Sequence, residues 1–231
     1  MTRGIIVIYS HDDTGERMKG FIFRLFKMII GLMLFATGCV FTIKANIGYA
    51  PWDVFHVGLS NTFGFSIGLA SIIVGLTIGI TVMLLGEKIG LGLVSNMILV
   101  GVFVDLLLFI GIIQTPQTFI FSILMMIVGL FIISIGTYFY IGSAFGAGPR
   151  DSFMVVLKRR MKIPVGVCRS IVELLATLIG WALGGMVGIG TVIFVIGIGF
   201  CMQITFKVLR FDVTSIKHES FVDTFKSLKV R

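Results

Sequence analysis

Charged residues are scarce in this sequence. Asp, Glu, Lys and Arg make up 13% of its 231 residues, whereas soluble domains carry about 25%. This shortage argues against an ordinary water-soluble domain. The net charge of +8 would suggest nucleic acid as a partner in a soluble protein. Here the basic residues flank apolar segments, so the charge is better explained by orientation in a lipid bilayer, and no nucleic acid partner is expected.

Residues suited to metal binding or covalent chemistry are few as well. Cys39, Cys168 and Cys201 all fall inside apolar segments. They lack the spacing of a metal site, so we expect free, buried thiols and no bound metal. The sequence has no Walker loop and no Ser-His-Asp set, and its Gly-rich segments lack the strand-then-helix context of a nucleotide site. It therefore predicts neither a cofactor nor an enzyme.

Apolar residues are abundant instead, at 57% of the chain, with a mean hydropathy of +1.08. A helix of about 20 apolar residues crosses the hydrocarbon core of a membrane. The sequence predicts an all-α membrane protein in contact with the lipid bilayer. Its six predicted transmembrane helices cover 22–43, 66–86, 90–113, 117–141, 164–186 and 188–207. The stretches 51–63 and 149–162 are too short to span and are predicted to be half-helices or interfacial helices.

A sequence duplication underlies this pattern. The segment GYAPWDVF at 48–55 recurs 98 residues later as GAGPRDSF at 146–153. With that shift and no gap, about 24 of 74 aligned residues are identical, roughly three times what biased composition alone would give. Shared membrane composition would scatter Leu and Ile matches, but it would not align Pro and Asp in register. The sequence therefore predicts two repeats of three spans each.

An odd number of spans per repeat predicts that the second repeat is inverted relative to the first. Lys and Arg support this topology, because the segments predicted to be cytoplasmic hold nearly all of them and the outer segments hold only Lys44. Both termini are predicted to be cytoplasmic. The predicted organisation is an N-terminal tail at 1–20, a first membrane repeat at 21–113, a second, inverted repeat at 114–210 and a C-terminal tail at 211–231.

The repeated Gly-x-x-Pro-x-Asp break has the composition of a helix start. Gly48 and Gly146 allow a sharp turn, and Pro51 and Pro149 suit the first turn of a helix. Asp53 and Asp151 could meet free backbone N–H groups there. Either these carboxylates simply cap short helices, or two half-helices enter the membrane from opposite faces and meet a solute.

Four further charged residues are candidates for a substrate site. Arg150 could contact lipid phosphates, an anionic substrate or a carboxylate of the chain itself. Glu173 lies well inside a span, and Arg169, four residues earlier on the same helical face, could pair with it. Asp105 also lies inside a span, although it could approach the outer interface. Ionisable groups at such depth indicate a pathway or a partner.

The segments FTIKANIGYAPWDVFHVGLS and FGAGPRDSFMVVL resemble the YczE/YitT group of bacterial integral membrane proteins, and most closely its YczE-like branch. The resemblance covers roughly residues 20–225 and rests on the paired PWD and GPRD segments. It implies a location in the bacterial cytoplasmic membrane. Because the activity of that group is not established, it implies no substrate and no catalytic residues. The chain departs from the pattern mainly in the residues before Met18.

Two functions fit this sequence. The first is a small-solute transporter or permease that works by rocking of two inverted repeats, with a small molecule or ion as substrate. The second is a non-transporting membrane partner, either a regulatory or assembly subunit or the substrate-binding subunit of a larger transporter. Flux through the purified chain alone would favour the first, and co-purification with an ATPase would favour the second.

Overall fold

The computed structural model describes residues 12–87, 89–212, 216, 219–221 and 224. This part of the chain is helical, as the sequence predicts. Its helices are α1 (Asp12–Lys44), α2 (Pro51–Phe63), α3 (Ile67–Leu84), α4 (Leu91–Ile110), α5 (Phe119–Ile141), α6 (Pro149–Met161), α7 (Val165–Ala182) and α8 (Ile189–Val208).

Five of these helices are long and apolar enough to cross a membrane, namely α1 from Met18 onward, α3, α4, α5 and α8. A sixth span is present if α6 and α7, which meet at a bend of 119°, count as one. The prediction of a multi-pass helical membrane protein is confirmed at this level. Helix α1 begins at Asp12 and so runs through part of the segment predicted as a tail. Helical hydrogen bonds are made within the segment, so a helix can continue beyond the apolar run.

The two short helices begin where the repeated break predicts a helix start. Gly48 and Gly146 have φ angles of +114° and +115°, a region that residues with a Cβ rarely adopt. Pro51 and Pro149 are the first residues of α2 and α6. The preceding N-cap residues are Ala50 and Gly148, which have no side-chain acceptor for the first turn. Each break therefore turns the chain sharply and leaves an uncapped helix start.

The helix boundaries also recur with the 98-residue shift. Helices α2 and α6 have 13 residues each, α3 and α7 have 18 each, and α4 and α8 have 20 each. Every start and end in these pairs differs by the same 98 positions. The internal similarity of the sequence is thus accompanied by similar local structure in the two halves of the chain.

Helices α1 and α5 meet through glycines at the centre of the molecule. A Cβ added to Gly31 would lie 2.9 Å from the carbonyl oxygen of Gly136, and one added to Gly38 would lie 2.8 Å from that of Gly129. Contact positions rise along α1 as they fall along α5, so the two helices pack antiparallel. Small residues allow such close backbone approach between membrane helices.

Each break is bonded to the start of the last helix of the other half. Gly190 N donates to Ile47 O at 2.7 Å, and Gly92 N donates to Phe145 O at 2.7 Å. The two bonds correspond under the 98-residue shift, since Gly92 matches Gly190 and Ile47 matches Phe145. Backbone groups of the irregular segments are thereby satisfied inside the protein, as non-helical backbone at membrane depth requires.

The two halves differ in how their last two helices pack. In the first half, Gly68 of α3 and Gly101 of α4 are in contact, and a Cβ on either would collide with the carbonyl oxygen of the other. Their counterparts are Gly166 of α7 and Gly199 of α8. A Cβ on either of these would have no described atom within 4 Å. The close α3–α4 contact is therefore not repeated at the matching positions of α7 and α8.

Candidate functional site

A cavity of about 160 Å³ lies where the two breaks come together. Most of its lining residues occur in pairs that are 98 positions apart, with one member from each half of the chain. The polar or helix-starting pairs are Pro51 and Pro149, Trp52 and Arg150, Asp53 and Asp151, Ser71 and Arg169, Gly75 and Glu173, and Asn96 and Phe194. The cavity thus lies between corresponding surfaces of the two halves.

Five of the six predicted site residues line this cavity: Asp53, Asp151, Arg150, Glu173 and Arg169. The two break prolines line it as well, whereas Gly48 and Gly146 lie in the turns that lead to it. The sequence placed these charged residues in separate segments, and the fold brings them to one site.

Asp105 lies outside this group. Its Oδ1 accepts a hydrogen bond of 2.7 Å from Gly68 N, and its Oδ2 accepts a hydrogen bond from Ser66 Oγ. Ser66 is the N-cap residue of α3, and its Oγ in turn accepts from Leu69 N at 3.1 Å. Asp105 therefore fixes the start of α3 against α4 instead of lining the cavity.

Arg150 contacts an aromatic ring and a histidine. Its Cζ lies 4.7 Å from the centre of the Trp52 ring, a distance at which a cation is attracted to the ring face. Its Nη2 lies 3.3 Å from Nε2 of His56. Within the described residues, Arg150 forms no ion pair with a carboxylate. Of the three predicted roles for this side chain, pairing with a carboxylate of the chain is therefore not observed.

The geometry around His56 determines its tautomer. His56 is buried, at 2% exposure, and its Nδ1 lies 3.5 Å from Oδ1 of Asp53. The Arg150 guanidinium is a donor only, so Nε2 must be the acceptor and Nδ1 must carry the proton. His56 is then neutral and links Asp53 to Arg150. The carboxylate of Asp53 is thus directed to His56.

The predicted pair on α7 is present. Nε of Arg169 donates to Oε1 of Glu173 at 2.8 Å. The Arg169 side chain is 49% exposed and that of Glu173 is 19% exposed. Glu173 occupies the position that matches Gly75, which lies against Met97 on α4. The second half of the chain therefore presents a charged pair where the first half presents Gly and Ser.

Tyr140 is the lining residue with an unsatisfied polar group. Its side chain is buried, at 4% exposure, and its hydroxyl has no hydrogen-bond partner among the described residues. A buried donor left without a partner is unfavourable by about 1–3 kcal/mol. A polar group without a partner next to a cavity indicates a place for a ligand or for water.

The cysteines and the other possible metal ligands form no metal site among the described residues. Cys39, Cys168 and Cys201 are free and buried, as predicted. Over the described parts of the chain, no group of three or more His, Cys, Asp and Glu side chains could hold a metal ion.

Comparison with known proteins assigns this chain to a family. Residues 22–207 match the model of a family of unknown function, DUF6198. The chain belongs to this family. It is 34% identical to the uncharacterised membrane protein YczE of Bacillus subtilis over 175 residues, which cover 75% of this chain and 80% of YczE. The predicted resemblance to a YczE-like group is thus confirmed.

Further relatives of this DUF6198 protein carry no functional description. It is 31% identical to an uncharacterised protein of Haemophilus influenzae over 186 residues, which cover 79% of this chain and 83% of the relative. It is 28% identical to the uncharacterised protein YyaS of B. subtilis over 170 residues, or 71% of this chain and 83% of YyaS. No solved structure matches the chain.

Tyr140, His56 and Asn96 were not among the site residues predicted from the sequence. A tyrosine at the end of a span is usually assigned to the membrane interface, and single polar residues in spans often bond a neighbouring helix. The signal that could have identified Tyr140 is its position eight residues before the Gly148-Pro149 helix start. A residue that close to a break is well placed to line a cavity formed there.

Proposed function

We propose that this DUF6198 protein is a small-solute transporter or permease and that the cavity between the starts of α2 and α6 is its substrate site. One observation carries the proposal: both break-derived helix starts and five charged side chains line the same cavity. Many secondary transporters bind their substrates at a repeat interface, between interrupted helices. We propose no chemical step, because the sequence holds no recognisable catalytic set.

The proposal includes an inverted arrangement of two three-helix repeats. Three observations support it. Equivalent helices recur with one constant shift. The hydrogen bond from Gly190 N to Ile47 O and the one from Gly92 N to Phe145 O occupy equivalent positions under that shift. The equivalent helices α1 and α5 pack antiparallel, as a two-fold axis perpendicular to them would require.

The proposed orientation places both termini in the cytoplasm of a bacterium, with the chain in the inner membrane. Its support is the distribution of Lys and Arg, of which Lys44 alone falls in a predicted outer segment. In this orientation the α1–α2 break lies toward the outside and the α5–α6 break toward the inside. The two helix starts would then face the cavity from opposite sides of the membrane.

In the proposed transport movement, the closed contact passes from the α3–α4 pair to the α7–α8 pair. The first half has its α3–α4 contact closed at Gly68 and Gly101, and the second half lacks this contact at Gly166 and Gly199. Alternating access in inverted-repeat transporters is largely a rocking of one repeat against the other around a fixed site. In the alternate state, α7 would close on α8 through Gly166 and Gly199 while α3 separates from α4.

Disulfide trapping tests this movement. The double variant Gly166→Cys and Gly199→Cys would be made in a chain whose three native cysteines are replaced by serine or alanine. Both sites are open, so the substitutions should fold. A disulfide requires Cα atoms within about 7 Å, a separation that the closed state would provide. We expect oxidation to cross-link the double variant in membranes and to stop solute uptake by proteoliposomes, and reductant to restore uptake.

The controls separate movement from damage. Each single-cysteine variant should take up solute with or without oxidant, because it cannot form the internal bridge. The assay uses the purified chain alone, with radiolabelled four-carbon solutes of differing charge as probes. If the bridge never forms and no probe is taken up, the transporter proposal fails. Co-purification with an ATPase would then favour a non-transporting subunit.

A further inference from the structure

We propose that the cavity binds a small solute through a carboxylate group, with the Arg150 guanidinium and the Tyr140 hydroxyl as its donors. This inference rests on the proposed function and names the chemistry of the substrate. It follows from an account of which polar groups in the cavity already have partners and which do not.

The acidic side chains of the cavity all have partners. Asp53 lies against His56, Glu173 accepts from Arg169, and Asp151 also has a partner within the protein. A carboxylate that already faces a donor attracts a cation less than an unpaired carboxylate would, although it keeps further lone pairs. The lining carboxylates therefore do not form a vacant site for a cation.

The Arg150 guanidinium has fewer hydrogen-bond partners than it could use. A guanidinium has five N–H groups in a planar fork and remains charged in proteins. For Arg150, the described residues supply a single hydrogen-bond acceptor, Nε2 of the neutral His56, and no carboxylate. Neither His56 nor the Trp52 ring face neutralises the charge. Asp53, Asp151 and Glu173 also line the cavity and lie near Arg150, but none of the described carboxylates pairs with it directly. An anionic group of a ligand could therefore bond the remaining N–H groups of the guanidinium.

Tyr140 provides an independent second observation. It lies on α5, whereas Arg150 is on α6, and its buried hydroxyl has no described partner. A hydroxyl can donate to a carboxylate oxygen, and hydrogen bonds to charged groups are stronger than neutral ones. A solute carboxylate could therefore satisfy unpaired donors from two elements at once.

The starts of α2 and α6 favour the same sign of charge. Both helices begin at the cavity wall, and neither N-cap residue has a side chain that bonds the first turn. The N-terminus of a helix carries partial positive charge and exposes free N–H groups. Asp53 stands in the first turn of α2, but its carboxylate is directed to His56.

The volume of the cavity and its apolar lining indicate the size and character of the rest of the solute. Phe35, Met97, Val100, Ile133 and Ile198 also line the cavity. The volume of about 160 Å³ is close to that of an engineered protein cavity of about 150 Å³ that holds benzene. The cavity thus suits a carboxylate attached to a short apolar chain of about four carbons. A planar carboxylate also matches the guanidinium fork.

The experiment compares four-carbon probes that carry different polar groups, with inorganic phosphate as a second anion. Butyrate, 4-aminobutyrate, n-butylamine, 1-butanol and inorganic phosphate are titrated into the detergent-purified full chain, with binding followed by calorimetry and thermal shift. We expect both carboxylates to bind and the amine and the alcohol to bind at least about tenfold more weakly. Tighter binding of butylamine or phosphate than of butyrate would overturn the proposal.

Variants assign the binding to the two donors. Arg150→Gln and Tyr140→Phe should each weaken butyrate binding by about tenfold or more. Arg160→Gln is the matched control, because it removes the same charge from an exposed position of α6 outside the cavity, and it should bind as the unchanged chain does. If Arg150→Gln fails to fold, Tyr140→Phe still decides, since it removes a single oxygen. Unchanged butyrate affinity in Tyr140→Phe would overturn its assignment.

Uptake by proteoliposomes distinguishes failure of this inference from failure of the proposed function. Carboxylate binding without uptake would leave the site in place and reject transport. Uptake of butylamine but not of butyrate would retain transport and reject the carboxylate site.

Discussion

Positions 52 and 150 correspond in the two halves, and they hold Trp and Arg. In the structure these two side chains stack on one another, with 4.7 Å between Cζ and the ring centre. The two halves therefore contribute an unequal pair to the cavity, with the aromatic ring from one half supporting the cation from the other. Arg169 and Glu173 replace Ser71 and Gly75 in the same way. Sequence divergence at equivalent positions thus adds the charges of Arg150, Arg169 and Glu173 to those of the identical pair Asp53 and Asp151.

Removing the Tyr140 hydroxyl should not harm the empty protein. Because that oxygen is buried without a described partner, Tyr140→Phe should leave stability unchanged or raise it by about 1 kcal/mol. The measurement is thermal unfolding of the purified chain without added solute.

The matched control for Tyr140→Phe is Ser143→Ala. The buried hydroxyl of Ser143 donates to the backbone carbonyl oxygen of Tyr140 at 2.6 Å. This variant should therefore lose about 1 kcal/mol of stability. If Tyr140→Phe proves as destabilising as Ser143→Ala, then the Tyr140 hydroxyl has a partner in the native protein, and its role as a vacant donor is rejected.

At the scale of helices, the two halves share boundaries but differ in packing, and Asp105 accounts for part of the difference. It fixes the start of α3 through Ser66 and Gly68. The corresponding positions in the second half hold Gln203, Pro164 and Gly166. Pro164 has no hydroxyl to replace that of Ser66, and Gln203 has no carboxylate. The first half therefore has a polar attachment between its last two helices that the second half lacks.

Asp105→Asn should loosen this attachment. An amide offers only one acceptor oxygen, and its NH₂ group would face a donor, so we expect a loss of about 1–3 kcal/mol and a lower thermal midpoint. Gln203→Ala, at the equivalent and exposed position of α8, should change stability by less than about 0.5 kcal/mol. Equal effects of the two variants would contradict a specific role for Asp105.

The glycine contacts make a second prediction at this scale. Gly101→Ala would place a methyl group against the carbonyl oxygen of Gly68, and such overpacking is typically unfavourable by about 1–3 kcal/mol. Gly199→Ala meets open space and should be neutral or slightly stabilising, because Ala favours helix more than Gly by about 1 kcal/mol. Chemical denaturation in detergent measures both.

Solute uptake adds a different readout for Gly199→Ala. If α7 closes on α8 at this position during transport, the added methyl group should slow uptake without stopping it, as a single cysteine at this position should also do. A variant that is stable and also fully active would contradict the proposed movement.

Much of this element-level structure is predictable from the sequence, because apolar length and the repeated Gly-x-x-Pro pattern are local signals. The break helices begin at Pro51 and Pro149, as the pattern indicates. The meeting of Asp53 and Glu173 in one cavity depends on contacts between distant segments, which one sequence does not contain. The unequal packing of Gly68 and Gly166 is also beyond sequence reasoning, because both lie in the same local motif.

At the scale of the whole molecule, the two breaks hold the halves together. In each break a carbonyl oxygen, that of Ile47 or of Phe145, accepts a hydrogen bond from the other half, so neither half can complete its backbone bonding alone. The α5–α6 side has an additional contact with the C-terminal segment. There Arg24 Nη1 pairs with Glu219 Oε1 at 2.7 Å, and Glu219 N donates to Ala144 O at 2.9 Å. The two ends of the molecule are therefore not equivalent.

Orientation in the membrane is a property of the whole chain and is open to direct measurement. Thr115, between α4 and α5, and Arg160, near the end of α6, are both exposed. Because Lys and Arg concentrate on the α5–α6 side, the positive-inside rule places Arg160 in the cytoplasm and Thr115 outside.

In intact cells, a membrane-impermeant maleimide should label Thr115→Cys but not Arg160→Cys. Permeabilised cells should show labelling of both. The unchanged chain is the control, and its buried cysteines should react little. Labelling of Arg160→Cys alone in intact cells would reverse the orientation, and the open α7–α8 side would then face the outside.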